Sequence, residues 1–168
     1  SAGFNTVDTG AMTDASAVYT MLLMLIGGGS MSTAGGIKLG TFIVLLVATY
    51  AFLRRREHVT LLNRTVPQEV VMKALAVTLV TLILMFLGIF ILMILNPLPF
   101  IDITFEVLSA SATVGLSRGI TAEVTTASQL VLVFLMFAGR VGPLTLAYFL
   151  ATPRKRHIRF PETDIQVG

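Results

Sequence analysis

The stretch GGGSMSTAGGIK, Gly27–Lys38, decides how the chain is read. It lies inside an apolar run from Ala15 to Leu53 whose only charged residue is Lys38. One membrane crossing needs about 20 residues, so the run is roughly twice as long as a single span. Gly27, Gly28, Gly29, Gly35 and Gly36 fall in its middle. Each costs a helix interior about 1 kcal/mol relative to alanine. The expected structure is a helix, a break and a second helix.

The rest of the chain agrees with a membrane setting. Of its 168 residues, 55% are hydrophobic and 12% charged, with mean hydropathy +0.86. A soluble domain carries about a quarter charged residues. The class is therefore an integral membrane protein. Cysteine is absent, which excludes disulfides and thiolate metal sites. The net charge of +3 arises from basic clusters and speaks to topology, not to nucleic acid. No signal peptide is visible and the first residue is not methionine, so the chain reads as a fragment or a processed product.

Outward from the glycine segment, RRREH (Arg54–His58) opens a polar linker. An apolar helix is expected from Glu69 to Leu95, about 40 Å long and able to cross with tilt. NPLP (Asn96–Pro99) should stop it, because proline lacks an N–H and disfavours helix before it. Asp102–Ala112 is too short to cross and reads as a short helix capped by Asp102. Ala127–Ala151 reads as a full span, followed by Arg154, Lys155, Arg156 and His157. The positive-inside rule places both basic clusters in the cytoplasm. Two crossings then separate them, so the short helix and TVGLS (Thr113–Ser117) enter and leave from outside. SAGFN (Ser1–Asn5) falls on the same face.

A shift of 112 positions superposes the chain on itself. Gly3 lands on Gly115, Thr9 on Thr121, Thr13 on Thr125, Ala15-Ser16 on Ala127-Ser128, and Gly27 on Gly139. The fold class is thus all-α integral membrane, built of repeated helix, re-entrant pore helix, filter loop and helix units. The expected divisions are 1–53, a filter strand and broken second helix; 54–68, a cytoplasmic linker; 69–151, a complete unit; and 152–168, a cytoplasmic tail. The first unit begins in mid-unit, so upstream sequence is expected. Repeats in membrane transport proteins place the site where they meet.

Irregular backbone at membrane depth is tolerated where it is buried in protein or lines a watery cavity. A helix C-terminus carries partial negative charge, and the carbonyls after it can replace an ion's water shell. Neither loop holds a carboxylate, which favours a monovalent over a divalent cation. The candidate ion-binding residues are Ser1, Ala2, Gly3, Phe4 and Asn5, and Thr113, Val114, Gly115, Leu116 and Ser117. The plain alternative is a turn between two helices.

Together, SAGFNT, GGGSMSTAGGIK, ATVGLSRG and GRVGPLT resemble the Trk/Ktr/HKT superfamily of potassium transporters, in particular the C-terminal half of the membrane subunit of bacterial Ktr systems. TVGLS departs from the potassium-channel signature in having Leu116-Ser117 where a channel has Tyr-Gly. The resemblance implies four units around one pore, each giving a filter strand with a key glycine; Gly3 and Gly115 would belong to the third and fourth. It also implies an intramembrane gate below the filter, here Gly27, Gly28, Gly29, Ser30, Met31, Ser32, Thr33, Ala34, Gly35 and Gly36, and an arginine on the last helix, here Arg140. The implied partners are membrane lipid, a second copy in a homodimer, a cytosolic ring of nucleotide-binding regulatory subunits, and the N-terminal half of the same subunit. The implied cargo is potassium, with sodium as an activator and no cofactor in this chain. The implied location is the plasma membrane, multi-pass.

Plainer readings stand beside these. The glycine segment would also suit close helix packing. Arg140 would be a snorkelling side chain, but it lies about 20 Å along a helix from Arg154. A charge that deep usually faces a cavity or a partner, here the carbonyls of the Gly27–Gly36 loop. Asp102 and Glu106, on one face of the short helix, suit capping and a polar contact behind the filter, or an ion site. Asp8 and Asp14 suit cation collection at the outer mouth, or a cap and a loop charge. The alternative functions are an ion-coupled secondary transporter working by alternating access and a non-transporting scaffold. No motif for a nucleophile, base or catalytic metal points to an enzyme.

Overall fold

The computed structural model describes residues 2–29, 35–55, 59–61, 64–142 and 145. Among these it contains five α-helices and two minimal strand pairs. Ser1, Ser30, Met31, Ser32, Thr33 and Ala34 lie outside the described residues, as do most of the RRREH cluster, the end of the expected Ala127–Ala151 span and the 152–168 tail.

The long apolar run is broken where its glycines stand. Helix α1 (Asp14–Leu25) ends before the glycines and α2 (Leu39–Leu53) begins after them. The ends of the intervening segment pair in parallel, β1 (Ile26–Gly27) with β2 (Ile37–Lys38), in the register Ile26↔Ile37 and Gly27↔Lys38. A Cβ on Gly27 would overlap the carbonyl oxygen of Gly35, so only glycine fits this crossing. The all-α expectation omitted both this pair and a hairpin, β3 (Thr60–Leu61) with β4 (Arg64–Thr65), in the linker.

Helix α3 (Gln68–Leu95, 28 residues) is long and apolar enough to cross a membrane. Thr81, Met85, Gly88 and Leu92 form its buried stripe, while Phe86, Phe90 and Ile94 on other faces are 69%, 55% and 68% exposed. An apolar surface on that scale is suited to lipid or to further protein. The helix stops at Asn96, whose φ −140° and ψ 131° are extended, as expected of a residue before proline.

Helix α4 (Phe100–Ser111) starts two residues before the expected Asp102. Pro99, with φ −57° and no N–H to satisfy, is already set for a helix entrance, so Asp102 falls in the first turn and is not the cap. Helix α5 (Thr126–Val141) is capped by Thr125, whose hydroxyl accepts from the Ser128 N–H at 3.4 Å. Thr13 caps α1 through the Ser16 N–H at the same 3.4 Å.

Helix α4 is the hub. Its Ile103, Val107 and Ala110 pack with Met85 and Leu92 of α3 and with Leu132 and Leu135 of α5. Its Phe105 packs with Ala17, Met21 and Met24 of α1. Asn96 locks the far ends of α3 and α5. It is 5% exposed; its amide donates to Ser128 Oγ at 2.6 Å and to the Leu92 carbonyl at 3.0 Å, and its Oδ1 accepts from the Thr125 N–H at 2.9 Å. Replacing it leaves buried groups unpaired, at about 1–3 kcal/mol. Asn96→Leu is therefore expected to lower the thermal midpoint of the detergent-solubilised full-length protein by several degrees. An unchanged midpoint would show that the network carries no stability.

Candidate functional site

Where α4 ends, its last carbonyls need partners. The chain supplies them with a tight reversal. The Thr113 N–H donates to Ala110 O at 3.1 Å and the Val114 N–H to Ser109 O at 2.9 Å. This is the two-bond helix stop that usually has glycine in the left-handed position. Here that position is Thr113, at φ +52°. A β-branched residue held there is strained by about 1–3 kcal/mol. Its hydroxyl explains the choice: Thr113 Oγ1 accepts from the Gly35 N–H at 2.9 Å, and the same N–H reaches Ala112 O at 3.1 Å. The glycine segment thus docks directly on the root of the TVGLS loop. A Cβ on Gly35 would stand 2.9 Å from the Ser111 carbonyl oxygen and from the Ala112 carbonyl carbon.

Beyond Thr113 the loop runs as irregular backbone through Ser117. No backbone N–H among the described residues donates to the carbonyls of Thr113, Val114, Gly115 or Leu116. Gly115 has φ +89° and Gly3 has φ +72°, a region where side chains are rarely tolerated. The two glycines face each other. A Cβ on Gly115 would lie 3.7 Å from Gly3 Cα, and one on Gly3 would lie 2.7 Å from the Val114 carbonyl oxygen. Ala2, Phe4 and Asn5 flank Gly3 in irregular, exposed backbone. The Thr9 hydroxyl, buried, donates to the Ser117 carbonyl and ties the first loop segment to the second.

Arg140 lies in the last turn of α5, directly after Gly139. A Cβ on Gly139 would overlap the Ser111 carbonyl oxygen, so glycine is required for α5 to approach the end of α4. Arg140 is exposed, one residue beyond the Gly139 that meets Ser111. Among the other glycine-segment residues, Gly27 and Gly35 are buried, Gly28 and Gly36 half-buried, and Gly29 exposed.

The carboxylates have separate roles. Asp102 meets Arg118, with Nε 2.6 Å from Oδ1, an ion pair by distance although not aligned as a hydrogen bond. Arg118 also donates to the Met12 carbonyl at 3.3 Å and lies 3.9 Å from exposed Asp14. Asp8 accepts from the Gly10 N–H at 2.9 Å in a local turn. Glu106, 6% exposed, accepts from Thr121 Oγ1. The contacts made by Arg118, Thr121 and Asn96, and the packing at Gly139, were not evident from the sequence. Arg118 had one available signal, as a lone charge following a glycine-containing loop between apolar segments.

The family model TrkH, cation transport protein, matches residues 1–158. The chain is 45% identical over 167 residues to the Ktr system potassium uptake protein B of Bacillus subtilis, covering 99% of this chain and 38% of that protein. It is 43% identical over 167 residues to the protein of the same name from Vibrio alginolyticus, covering 99% and 37%. It is 37% identical over 174 residues to the potassium/sodium uptake protein NtpJ of Enterococcus hirae, covering 99% and 39%. The chain thus spans about two-fifths of the length of these relatives. With a family match over nearly all of its length, a helical architecture and an apolar helix long enough to cross a bilayer, the chain belongs to the TrkH family of cation transport proteins.

Proposed function

We propose that this chain forms part of a potassium-conducting pore, with Ser1–Asn5 and Thr113–Ser117 as two strands of its selectivity filter and Gly27–Gly36 with Arg140 as its gate. The observation that carries the reading is the opposition of Gly3 and Gly115. Two left-handed glycines, on two loops 112 positions apart, meet beside the C-terminus of a short helix. That helix end is a source of negative potential, and the loop after it holds carbonyls that take no backbone N–H among the described residues. The named relatives are potassium or potassium/sodium uptake proteins, which supports potassium as the cargo.

The internal repeat supports a ring of units. Ala17, Met21 and Met24 of α1 bury themselves against α4. The positions 112 further on, Gln129, Val133 and Met136 of α5, are exposed, the last two by 59% and 47%. They offer the same face to another short helix, which the remaining length of such a subunit would supply. Helix α4 and Thr113–Ser117 then enter and leave by the outer side, as the basic clusters require.

The gate reading rests on Gly35. Its N–H holds the root of the filter loop, so a rearrangement of the glycine segment that moves Gly35 breaks that bond. Arg140, one residue beyond Gly139, would repel cations below the filter and bind carbonyls of the segment. The Ktr system names place relatives in a multi-component uptake system. A homodimer, a cytosolic nucleotide-binding ring and activation by sodium are the corresponding proposals here.

Two measurements on full-length protein in liposomes test this. Gly115→Ser places a side chain at φ +89°. About 1.4 kcal/mol of strain at the ion site corresponds to tenfold weaker binding. The half-saturating potassium concentration should rise about tenfold and discrimination against sodium should fall; unchanged uptake and selectivity would sink the filter reading. Arg140→Ala should raise potassium flux several-fold at equal protein content, and unchanged flux would remove Arg140 from the gate.

A further inference from the structure

Glu106 is not used by the pore reading, yet its surroundings are specific. It lies on α4, 6% exposed, with Oε1 accepting from Thr121 Oγ1 and Oε2 buried without a hydrogen-bond partner among the described residues. Thr121 Oγ1 is 2.9 Å from Ser117 Oγ, and Ser117 Oγ accepts from the Gly119 N–H at 3.0 Å. These contacts give the hydroxyls one consistent direction. Gly119 donates to Ser117, the Ser117 hydrogen points to Thr121, and the Thr121 hydrogen points to the Glu106 carboxyl. Successive bonds of this kind polarise one another, most strongly where the dielectric is low.

The chain ends on Ser117, the last residue of the loop, whose carbonyl also takes the Thr9 hydroxyl. Beside it lies a cavity of about 420 Å³ lined by Glu106, Thr113, Gly115, Ser117 and Thr121 among others. Val114 and Leu116 pack on the Phe105 cluster, whereas Ser117 at the outer end is held by its hydrogen bonds to Thr9, Gly119 and Thr121. At its inner end the loop is fixed by the Gly35 contact to Thr113.

We infer that Glu106 is a positioning residue for cation selection: acting through Thr121 and Ser117, it holds the outer end of the Thr113–Ser117 strand at the spacing that favours one monovalent cation over another. This rests on the filter reading above. Thr121 is exposed, so its variants test the link without disturbing the core. Thr121→Val keeps the side-chain shape and removes the hydroxyl; Thr121→Ser keeps the hydroxyl.

The experiment is potassium and sodium uptake by full-length protein in liposomes, with wild type, Thr121→Val, Thr121→Ser, Glu106→Leu, the Glu106→Leu/Thr121→Val double variant, and Gly115→Ser. One hydrogen bond of ordinary net strength corresponds to a change of about two- to tenfold. Thr121→Val should raise the half-saturating potassium concentration by about that factor, with maximal rate retained and sodium discrimination reduced. Thr121→Ser should stay close to wild type. The double variant should be no worse than Thr121→Val alone, since both substitutions cut one chain. The inference is overturned if Thr121→Val behaves as wild type, if Thr121→Ser is equally impaired, or if the two losses add. Should Glu106→Leu not reach the membrane, the Thr121 pair decides alone. If Gly115→Ser alters selectivity while Thr121→Val does not, only this inference fails; if Gly115→Ser is silent too, the filter reading itself fails.

Discussion

The structure depends on how the last turn of α4 is terminated. A helix end inside an apolar environment has carbonyls to satisfy and no bulk water to satisfy them. Here Ser109 and Ala110 are satisfied by the reversal at Thr113, and Ala112 by the Gly35 N–H. Ser111 is approached so closely by Gly139 that a methyl group there would overlap its oxygen. One turn of helix therefore fixes the start of the TVGLS loop, the return of the glycine segment and the seat of α5. Substitution of any of the three partners is felt at the other two.

This explains a departure from ordinary helix chemistry. Glycine at position 113 would relieve the left-handed strain at no steric cost. Threonine keeps the strain and supplies an oxygen to Gly35. Strained residues persist where the surroundings over-determine them, and they gather at working parts of proteins. The two halves of the candidate site, loop and glycine segment, are thus joined by an atom that a helix stop by itself does not need.

Much of the architecture was legible because glycine and proline punctuate strongly. The helix break at Gly27–Lys38, the stop at Asn96–Pro99 and the long apolar helix before it follow from local backbone chemistry, and α3 differs from expectation by one residue at its start. Asp102 misled, because a good capping side chain competed with Pro99, whose fixed φ already starts the helix. The Gly3–Gly115 opposition could be suspected from the repeat, since equal spacing implies equivalent loops. The contacts of Arg118, Thr121 and Asn96 could not. Each joins residues distant in sequence, and a polar residue gives no local sign of which distant carbonyl or carboxylate it will meet. Glu106 and Asp102 share a helix face but take different partners, which spacing alone does not separate.

The parallel pairing of Ile26 with Ile37 gives the glycine segment an unusual geometry. Its two ends lie side by side and run in the same direction, forming a narrow neck between the helices. The chain leaves α1 and enters α2 through this neck. A two-residue turn can close only an antiparallel pair, so this parallel neck obliges the chain to make a longer return between α1 and α2 than a direct helix-to-helix turn would need.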